Sequence, residues 1–340
     1  MIRAAGAGGR RARALALAGL LLLGAAPAAD RGIAIKARPV PLVENLAVGE
    51  AIGRIRFLGM LALPNINANG LRFAQLSDLA WDEDAGLLYA ISDKGALFHL
   101  EPVLRDGALV DLRLIKAVPL RDPKTRQPLK HRYADAEGLE ILNGNNGRAD
   151  DAELLVSFER HPRLVRFRPD GYAIAEHQLP APLRDGEAYV DGNKGLEAVC
   201  HDPAFGTLTV PEAPLQAEPA GFHRLYSTTG ASWRYPAENQ NRVVGLACLG
   251  GGEVIVLERD YGRLFWRSSI ALKRLRLAGA RVDAALSVEP LATLDTSEGF
   301  QIDNFEGIAR HHGRRFFLMS DDNDLFIQRT LLLYIEVLDK

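Results

Sequence analysis

The sequence has few cysteines, few aromatic residues and no long amphipathic helical pattern. Cys200 and Cys248 are its only cysteines, which excludes a disulfide-rich scaffold and a cysteine-rich zinc site. One disulfide and two buried thiols are both compatible with their spacing. With 47% apolar residues and a formal charge of −2, the composition is typical of a soluble globular protein that can bury a core.

The motifs of several common enzyme classes are also missing. The chain contains no G-x-S-x-G elbow, no H-E-x-x-H pair and no P-loop, so a serine esterase, a zincin and an NTPase have little support. A Ser-His-Asp triad stays open, because such triads are recognised by geometry rather than by spacing.

The first 29 residues predict a cleaved secretory signal peptide. Four arginines precede the apolar run LALAGLLLLGAA, and Ala26-Pro27-Ala28 supplies the small residues that a signal peptidase needs. The alternative, a membrane anchor, needs about 20 apolar residues. We therefore expect a periplasmic or secreted protein with no membrane span after cleavage, in which residues 30–340 form a single domain.

The charge of the mature chain argues against a nucleic-acid partner. Cleavage removes four arginines and no acids, leaving 37 Lys plus Arg against 43 Asp plus Glu, a formal charge of −6. No basic run or aromatic stacking platform offsets this charge. We expect a monomer that takes a small anionic or ester substrate.

Five segments of the chain share one pattern: an apolar run, a polar or glycine-rich turn, a second apolar run and then an acid. They are Leu76–Gly95, Ala136–Arg160, Leu196–Ala213, Val243–Arg259 and Phe305–Asp322. Their starts lie roughly 50 to 60 residues apart, which suits a unit of four strands with long outer loops. Repeated four-stranded units with few helices predict an all-β fold, a β-propeller.

The strand-like segment Ile52–Leu63 can join RTLLLYIEVL at the end of the chain to complete a further blade. Six blades are therefore our first prediction, with five or seven as alternatives. A β-sandwich is the second choice of fold, but it gives no reason for repeats of this length.

In an antiparallel hairpin, residues equidistant from the turn face each other. Counting outward from the turn at Gly313, Glu306 faces Asp321. The same count places the acids of the other repeats at the open ends of their hairpins. A propeller gathers these hairpin ends around its axis, and the predicted carboxylates there are Asp93, Glu137, Glu159, Glu197, Glu212, Glu258, Glu306 and Asp321.

Eight carboxylates near one axis repel one another unless they are neutralised. Bound Ca²⁺, basic partners and raised pKa values are the three solutions. Lys94, Arg160 and Arg259 directly follow three of the acids, and each can pair with an acid of an adjacent blade. These three bases are also the candidate substrate-binding residues. The alternative is that the acids cap strand ends and tie blades together through Arg and Lys, without a ligand.

The same residues resemble a known group. The segments EGLEILNGNNGRADDAELLVSFERHPRLVRF, NKGLEAVCHDPAFG and DNFEGIA followed by LMSDDN are similar to the "esterase-like activity of phytase" family. The resemblance implies a secreted propeller and hydrolysis of ester or phosphate-ester bonds, with Glu137, Glu159, Glu197, Glu212, Glu258, Glu306 and Asp321 as candidate calcium ligands. Ser77, Val244 and Ala213 depart from the repeat, so a symmetric ring of ligands is not expected.

Two functions follow from this. The first is a Ca²⁺-dependent hydrolase, in which metal ions clamp a phosphate or carboxylate, Arg160 and Arg259 neutralise charge, and an acid is the general base for water. The second is a non-catalytic periplasmic propeller that binds a protein, a glycan or a small anion. His161 is a candidate for acid-base chemistry but fits an ordinary loop histidine better, and His311 and His312 fit a surface turn.

Overall fold

The computed structural model describes residues 32–219, 221–236, 242–261 and 268–339, and the predicted signal peptide lies outside them. The chain before the first repeat forms one long strand and several short ones. They are β1 (Ile33–Ala34), β2 (Arg38–Pro39), β3 (Ala51–Ile52), β4 (Ile55–Leu63), β5 (Ile66–Ala68) and β6 (Leu71–Phe73).

The five repeats begin five antiparallel sheets, the blades. Blade 1 holds β7 (Leu76–Asp82), β8 (Leu87–Ser92), β9 (Ala96–Arg105) and β10 (Ala108–Pro119). Blade 2 holds β11 (Ala136–Leu142), β12 (Glu153–Phe158), β13 (Arg163–Phe167) and β14 (Ala173–His177). Blade 3 holds β15 (Leu196–Asp202), β16 (Gly206–Pro211), β17 (Phe222–Ser227) and β18 (Ser232–Pro236).

The last two blades complete the ring. Blade 4 holds β19 (Arg242–Gly250), β20 (Glu253–Tyr261), β21 (Ser268–Arg276) and β22 (Val288–Asp295). Blade 5 holds β23 (Asn304–Arg310), β24 (Arg315–Asp321) and β25 (Thr330–Val337), and β4 is its fourth strand. Four short 3-10 helices lie in loops, at His131–Tyr133, Ala181–Leu183, Gly186–Ala188 and Thr296–Glu298.

The all-β propeller is confirmed, but the first prediction of six blades is wrong, since the described residues form five, the number given as an alternative. Four strands make up the body of each blade, and the short strands β1 on blade 1 and β2 and β3 on blade 5 are added at the outer edge. The terminal segments do not form a blade of their own. Strand β4 pairs with β25 through contacts such as Leu61 with Leu332, and β25 pairs with β24 of the fifth repeat. Strand β4 thus covers the edge of β25 that would otherwise be unpaired.

The apolar core lies between the blades rather than within one layer. Five clusters of buried residues each join two consecutive blades, and Leu139, Phe158 and Phe98 are examples of fully buried members. Alternating side chains of each strand point to opposite neighbours, so every blade contributes to two clusters. Burying a Leu or Phe side chain stabilises the fold by about 1.5–3 kcal/mol.

The first strand of each blade, the inner strand, contacts the inner strands of both neighbouring blades. Each inner strand shifts register at one equivalent residue, as in a β-bulge; these residues are Ser77, Glu137, Glu197, Val244 and Glu306. The next residue is small in four blades because the strands approach closely. At Gly138, a Cβ would lie 2.7 Å from the carbonyl oxygen of Glu197.

A disulfide joins two inner strands. Cys200 on β15 and Cys248 on β19 are bonded, with 5.5 Å between their Cα atoms, so blades 3 and 4 are covalently linked. Their spacing alone left this pairing open. Within the described part of the chain, no helix is long and apolar enough to cross a membrane.

Candidate functional site

All five inner strands start at the same end of the propeller axis, and the second strand of each blade ends there. We call this the acid end. The five predicted hairpins are present, and their last residues at the acid end are Asp93, Glu159, Glu212, Arg259 and Asp321. A bulge leaves its residue outside the ladder and re-aims the side chain, which turns Glu137, Glu197 and Glu306 toward this end.

The bulges change the predicted register. Asp321 faces Asn304 rather than Glu306, and the amide of Glu159 donates to the carbonyl of Asp135. In both hairpins the observed partner lies two residues before the predicted one, and the bulge accounts for one of these two residues. Asp135 therefore joins the site, although nothing in the sequence beyond its place in YADAEGLE singled it out.

Five carboxylates of blades 2 and 3 come together, and we call them the acid cluster: Asp135, Glu137, Glu159, Glu197 and Glu212. They form two groups of three, in which one oxygen of each member lies within 4.8 Å of the others. Asp135, Glu137 and Glu159 form the first group, and Glu159, Glu197 and Glu212 form the second. Glu159 belongs to both groups, so the two are contiguous.

Basic side chains flank the acid cluster without filling it. Lys194 Nζ lies 2.6 Å from Glu212, which Arg242 also contacts. Arg160 Nε lies 3.0 Å from Asp135 and 2.8 Å from the side-chain oxygen of Asn193. Among the described residues, none forms a salt bridge with Glu137, Glu159 or Glu197.

The pKa values follow from this arrangement. Burial, followed by the charges of Glu197 and Glu306, raises the pKa of Glu137 well above its usual value. Burial and the charge of Asp135 raise the pKa of Glu159 to about 7. Burial and the charge of Glu306 raise the pKa of Glu197 to about 8. The cluster holds more negative charge than its bases neutralise, so it favours protons or a cation.

The donor set fits a metal ion. Calcium takes six to eight oxygen ligands, mainly carboxylates, in flexible geometry. Asp135, Glu137 and Glu159 can hold one such ion, and Glu197 and Glu212 extend the set of oxygens.

Blade 4 differs from the others at the acid end. Arg259 occupies the position that Glu159 and Glu212 occupy in blades 2 and 3, and it contacts Glu306 of blade 5 and donates to Asn304 Oδ1 at 2.6 Å. This is the pairing with an adjacent blade that the sequence predicted. Arg259 thereby neutralises Glu306. Blades 4 and 5 thus contribute an ion pair at the acid end, whereas blades 2 and 3 contribute groups of carboxylates.

The structure places Glu258 away from the acid cluster. One residue earlier on β20 than Arg259, its side chain points to the other face of the strand and is buried between blades 3 and 4. Tyr235 donates to it at 2.5 Å, and Lys273 Nζ lies 2.9 Å from it. The separation of Val244 and Arg259 equals that of Glu197 and Glu212, so Arg259 is the equivalent residue, and Glu258 was selected because it is the acid beside it.

Asp93 and Asp321 lie at the acid end beside blades 1 and 5. Lys94 Nζ lies 2.7 Å from Asp93, its own neighbour, and not from an acid of another blade. Burial and the charge of Glu306 raise the pKa of Asp321 to about 8. Of the predicted bases, Arg160 also pairs within its own blade, with Asp135.

Asp78 is a buried acid that sequence reasoning missed. Its Oδ1 accepts from the amides of Leu79 at 2.8 Å and Ile308 at 3.0 Å, and its Oδ2 accepts from Leu139 at 2.7 Å. It thus caps unpaired edge amides of three inner strands on the axis. The residue at its position, one after the bulge, is glycine or alanine in the other blades. An aspartate among these small residues was the sequence feature that could have identified it.

The histidines are structural in this arrangement. His161 packs edge-on against Tyr133, with 5.0 Å between the ring centres, and burial and Arg163 lower its pKa. His312 is exposed as expected, but His311 is buried. The prediction of a surface residue is wrong for His311 because the turn folds back, and its Nδ1 bonds to the Tyr334 hydroxyl at 2.7 Å.

Comparison with solved structures finds matches at low sequence identity. The Pan2 WD40 domain of Neurospora crassa is 9% identical over 85% of this chain and 98% of its own, with a TM-score of 0.39. Chaetomium thermophilum Raptor is 11% identical over 92% of this chain and 30% of its own, with a TM-score of 0.40. The Dos1 propeller is 10% identical over 73% of this chain and 53% of its own, with a TM-score of 0.33. A comparison with curated proteins gave no match.

The sequence matches a family profile described as "Phytase-like: Esterase-like activity of phytase" over residues 71–324. The match runs from β6 to the loop after β24 and includes the whole acid cluster. It confirms the resemblance carried by NFEGIA and SDDN. The match spans more than half of the sequence, and the chain therefore belongs to the phytase-like family.

Proposed function

We propose that this chain is a metal-dependent hydrolase of ester or phosphate-ester substrates, with its site at the acid cluster and Ca²⁺ as its ion. The observation that carries the proposal is the pair of carboxylate groups that share Glu159. A bound Ca²⁺ supplies Lewis-acid polarisation of a phosphoryl or carbonyl oxygen. Membership of the phytase-like family supports hydrolysis as the reaction class.

The residues around the cluster divide into separate roles. Asp135, Glu137 and Glu159 hold the cation. Lys194 and Arg242, which meet at Glu212, present positive charge to an anionic group of the substrate. Arg160 is the base beside the first carboxylate group, and its side chain is about half exposed, so it can turn toward a substrate.

Glu197 is the best placed general base. It lies in the second carboxylate group, and no described residue forms a salt bridge with it, whereas Glu212 is paired with two bases. A raised pKa suits a group that must take a proton from an attacking water near neutral pH. Glu306 is less suited because Arg259 neutralises it.

A periplasmic or secreted location belongs to the same proposal. It is supported by the pattern of residues 1–29 and by the disulfide between Cys200 and Cys248, since disulfides persist in oxidising compartments. Expression of the full chain with fractionation, followed by mass determination of the amino terminus, tests it. Recovery of uncleaved protein in the cytoplasm would contradict it.

The decisive experiment is a hydrolysis assay on the purified mature protein. We expect turnover of p-nitrophenyl phosphate or a p-nitrophenyl carboxylester with added Ca²⁺, loss with chelator, and recovery when Ca²⁺ is restored. Glu159→Gln should abolish turnover because it removes a ligand of both carboxylate groups. Glu101→Gln, at an exposed acid paired with Arg113 on blade 1, is the matched control.

Two results would overturn this function. Turnover that survives the chelator excludes the metal mechanism. Absence of turnover on a broad ester panel, combined with a Ca²⁺-dependent rise in melting temperature, favours the non-catalytic binder instead.

A further inference from the structure

A cavity of about 850 Å³ lies on the axis at the end opposite the acid cluster. We call it the turn-end cavity, because the distal halves of the inner strands and the hairpin turns line it. All five blades contribute, and Leu79, Leu139, His201, Leu246 and Ile308 represent them in order. Its volume lies within the range of small-molecule pockets, about 300–1,000 Å³.

The room in this cavity comes from small side chains at one repeated position. Three residues after the bulge, the inner strands have Ala80, Glu140, Cys200, Ala247 and Ala309. Of these, Ala80, Glu140, Ala247 and Ala309 line the cavity, and Glu140 alone is charged. Glu140 is thus a charged side chain at a position that is otherwise small and apolar.

Most charged side chains that line the cavity pair with another side chain, either one of opposite charge or a histidine. Arg166 Nη1 lies 2.9 Å from Glu153. Glu83 lies 2.9 Å from His312 Nδ1 and accepts from Trp81 Nε1 at 2.8 Å. These pairs are typical of the partly solvated rim of a cavity.

Glu140 and Arg310 do not follow this rule. Glu140 accepts only backbone amides, from Ile141 at 2.7 Å and His201 at 2.8 Å. Arg310 donates only to backbone carbonyls, those of Gly313 and Leu249, both at 3.0 Å. Among the described residues, neither forms a salt bridge, although both line the cavity and Arg310 acts on Glu140 electrostatically.

The two groups are held apart by blade 1. Glu140 lies on β11 and Arg310 on β23, and these strands flank β7, which carries Trp81 between them. An acid and a base that face one cavity from two sides leave a gap that a molecule with both charges can span. Glu140 is half-buried and Arg310 is exposed, so both can be reached from the cavity. A ligand that carries both charges gives each of them a charge-assisted hydrogen-bond partner while their backbone hydrogen bonds stay in place.

We propose that the turn-end cavity binds a small zwitterion of the amino-acid type. Glu140 receives its ammonium group, Arg310 receives its carboxylate, and its side chain packs against Trp81 and the alanines of the lining. The site is separate from the acid cluster and independent of the proposed hydrolysis. It makes the propeller a binding protein at one end of the axis, whatever chemistry the other end performs.

The first measurement is a thermal-shift screen of the standard amino acids with the wild-type mature protein. We expect at least one apolar amino acid to raise the melting temperature at about 10 mM, since a ligand of the folded state stabilises it by mass action. The best of these is then compared by calorimetry with its N-acetyl and carboxamide derivatives. Each derivative lacks one charge and should bind at least about tenfold more weakly, since a hydrogen bond to a charged group is worth about 1.5–3 kcal/mol.

Variants then assign the two charges. Glu140→Gln should remove the preference over the N-acetyl derivative, and Arg310→Gln should remove the preference over the carboxamide. Glu159→Gln, at the other end of the axis, should leave binding unchanged, which separates this site from the hydrolase site. If either cavity variant does not fold, the derivative series on the wild type still decides the question.

Three outcomes would overturn the proposal. The first is that no amino acid raises the melting temperature. The second is equal affinity for the amino acid and both derivatives. The third is that the amino acid's advantage over both derivatives persists unchanged in folded Glu140→Gln and Arg310→Gln.

Discussion

The two ends of the propeller axis are built from the same inner strands but organise charge in opposite ways. At the acid end, carboxylates of two neighbouring blades lie within 4.8 Å of one another with bases only at their margin. At the turn end, most charges are matched across the rim, and one acid and one base stay unpaired on different blades. An acid that is repeated in neighbouring blades concentrates negative charge at one end of the axis. Glu140, at a position that is Ala or Cys in the other blades, instead places one charge at one point of the cavity wall. The first arrangement favours a cation, and the second is the basis on which we propose a ligand with both charges.

Asp78 separates the two ends, and its removal should have the largest effect on the molecule. We expect Asp78→Ala to lower the free energy of unfolding by about 3–5 kcal/mol, because three buried amides lose their acceptor. Chemical denaturation measures this change. Asp111→Ala is the control, since Asp111 is exposed and its side chain accepts only the amide of Leu112. A loss below about 1 kcal/mol would mean that water replaces the carboxylate.

The acid end should respond to pH more strongly than the turn end, because burial raises the pKa of several carboxylates there but of Glu140 alone among the acids that line the turn-end cavity. Glu197 and Asp321, with pKa values raised to about 8 in the folded state, bind protons there that the unfolded chain has already released. Between about pH 5 and 8 the folded state therefore holds more protons, and stability falls as pH rises. The melting temperature of the metal-free protein should decrease over this window, and Ca²⁺ should raise it more at pH 8 than at pH 5.5.

A charge-neutral variant sharpens this pH test. Glu197→Gln should flatten the decrease, because it removes one of the groups that titrate. A melting temperature that stays constant or rises from pH 5.5 to pH 8 in the presence of chelator would contradict the account of the acid cluster.

The smallest effect is expected at Lys94, which the sequence selected as a substrate-binding residue. Its side chain is 66% exposed and pairs with its neighbour Asp93. Exposed pairs contribute about 0–1 kcal/mol, so Lys94→Gln should change the free energy of unfolding by less than that. If Lys94 binds an anionic substrate, KM should rise with kcat unchanged. An unchanged KM would leave recognition to Arg160, Lys194 and Arg242.

The sequence was sufficient to predict the propeller and its five hairpins, because each repeat carries its own turn and its own apolar runs. The number of blades required knowing that β4 and β25 share a sheet with β24. The pairing of β4 with the last strand was predicted and is present. The pairing of that last strand with β24 was not predicted, so the two terminal strands were assigned to an extra blade.

At the candidate site, prediction from sequence worked for the bulged acids and failed for residues whose position depends on register. Glu137, Glu159, Glu197 and Glu212 were selected and lie together. Asp135 was missed because the pairing of Glu159 lies two residues from the predicted one, of which the bulge accounts for one. Glu258 was chosen where Arg259 holds the equivalent position. Asp78 and Glu140 were missed because their partners are backbone amides of other blades, which no side-chain pattern reveals.

Blade 5 has a consequence for how the chain reaches its native state. Its fourth strand, β4, is made early in synthesis, and its partner β25 is made almost last. Closing a loop of this length is entropically unfavourable until the remaining blades have docked, and such non-local pairings slow folding. Four blades can form from local hairpins as the chain is synthesised, whereas β4 stays unpaired until β25 has been made. Ring closure is therefore the late, rate-limiting event, and a chain cut short before Thr330 would leave β4 as an open edge prone to association with other chains.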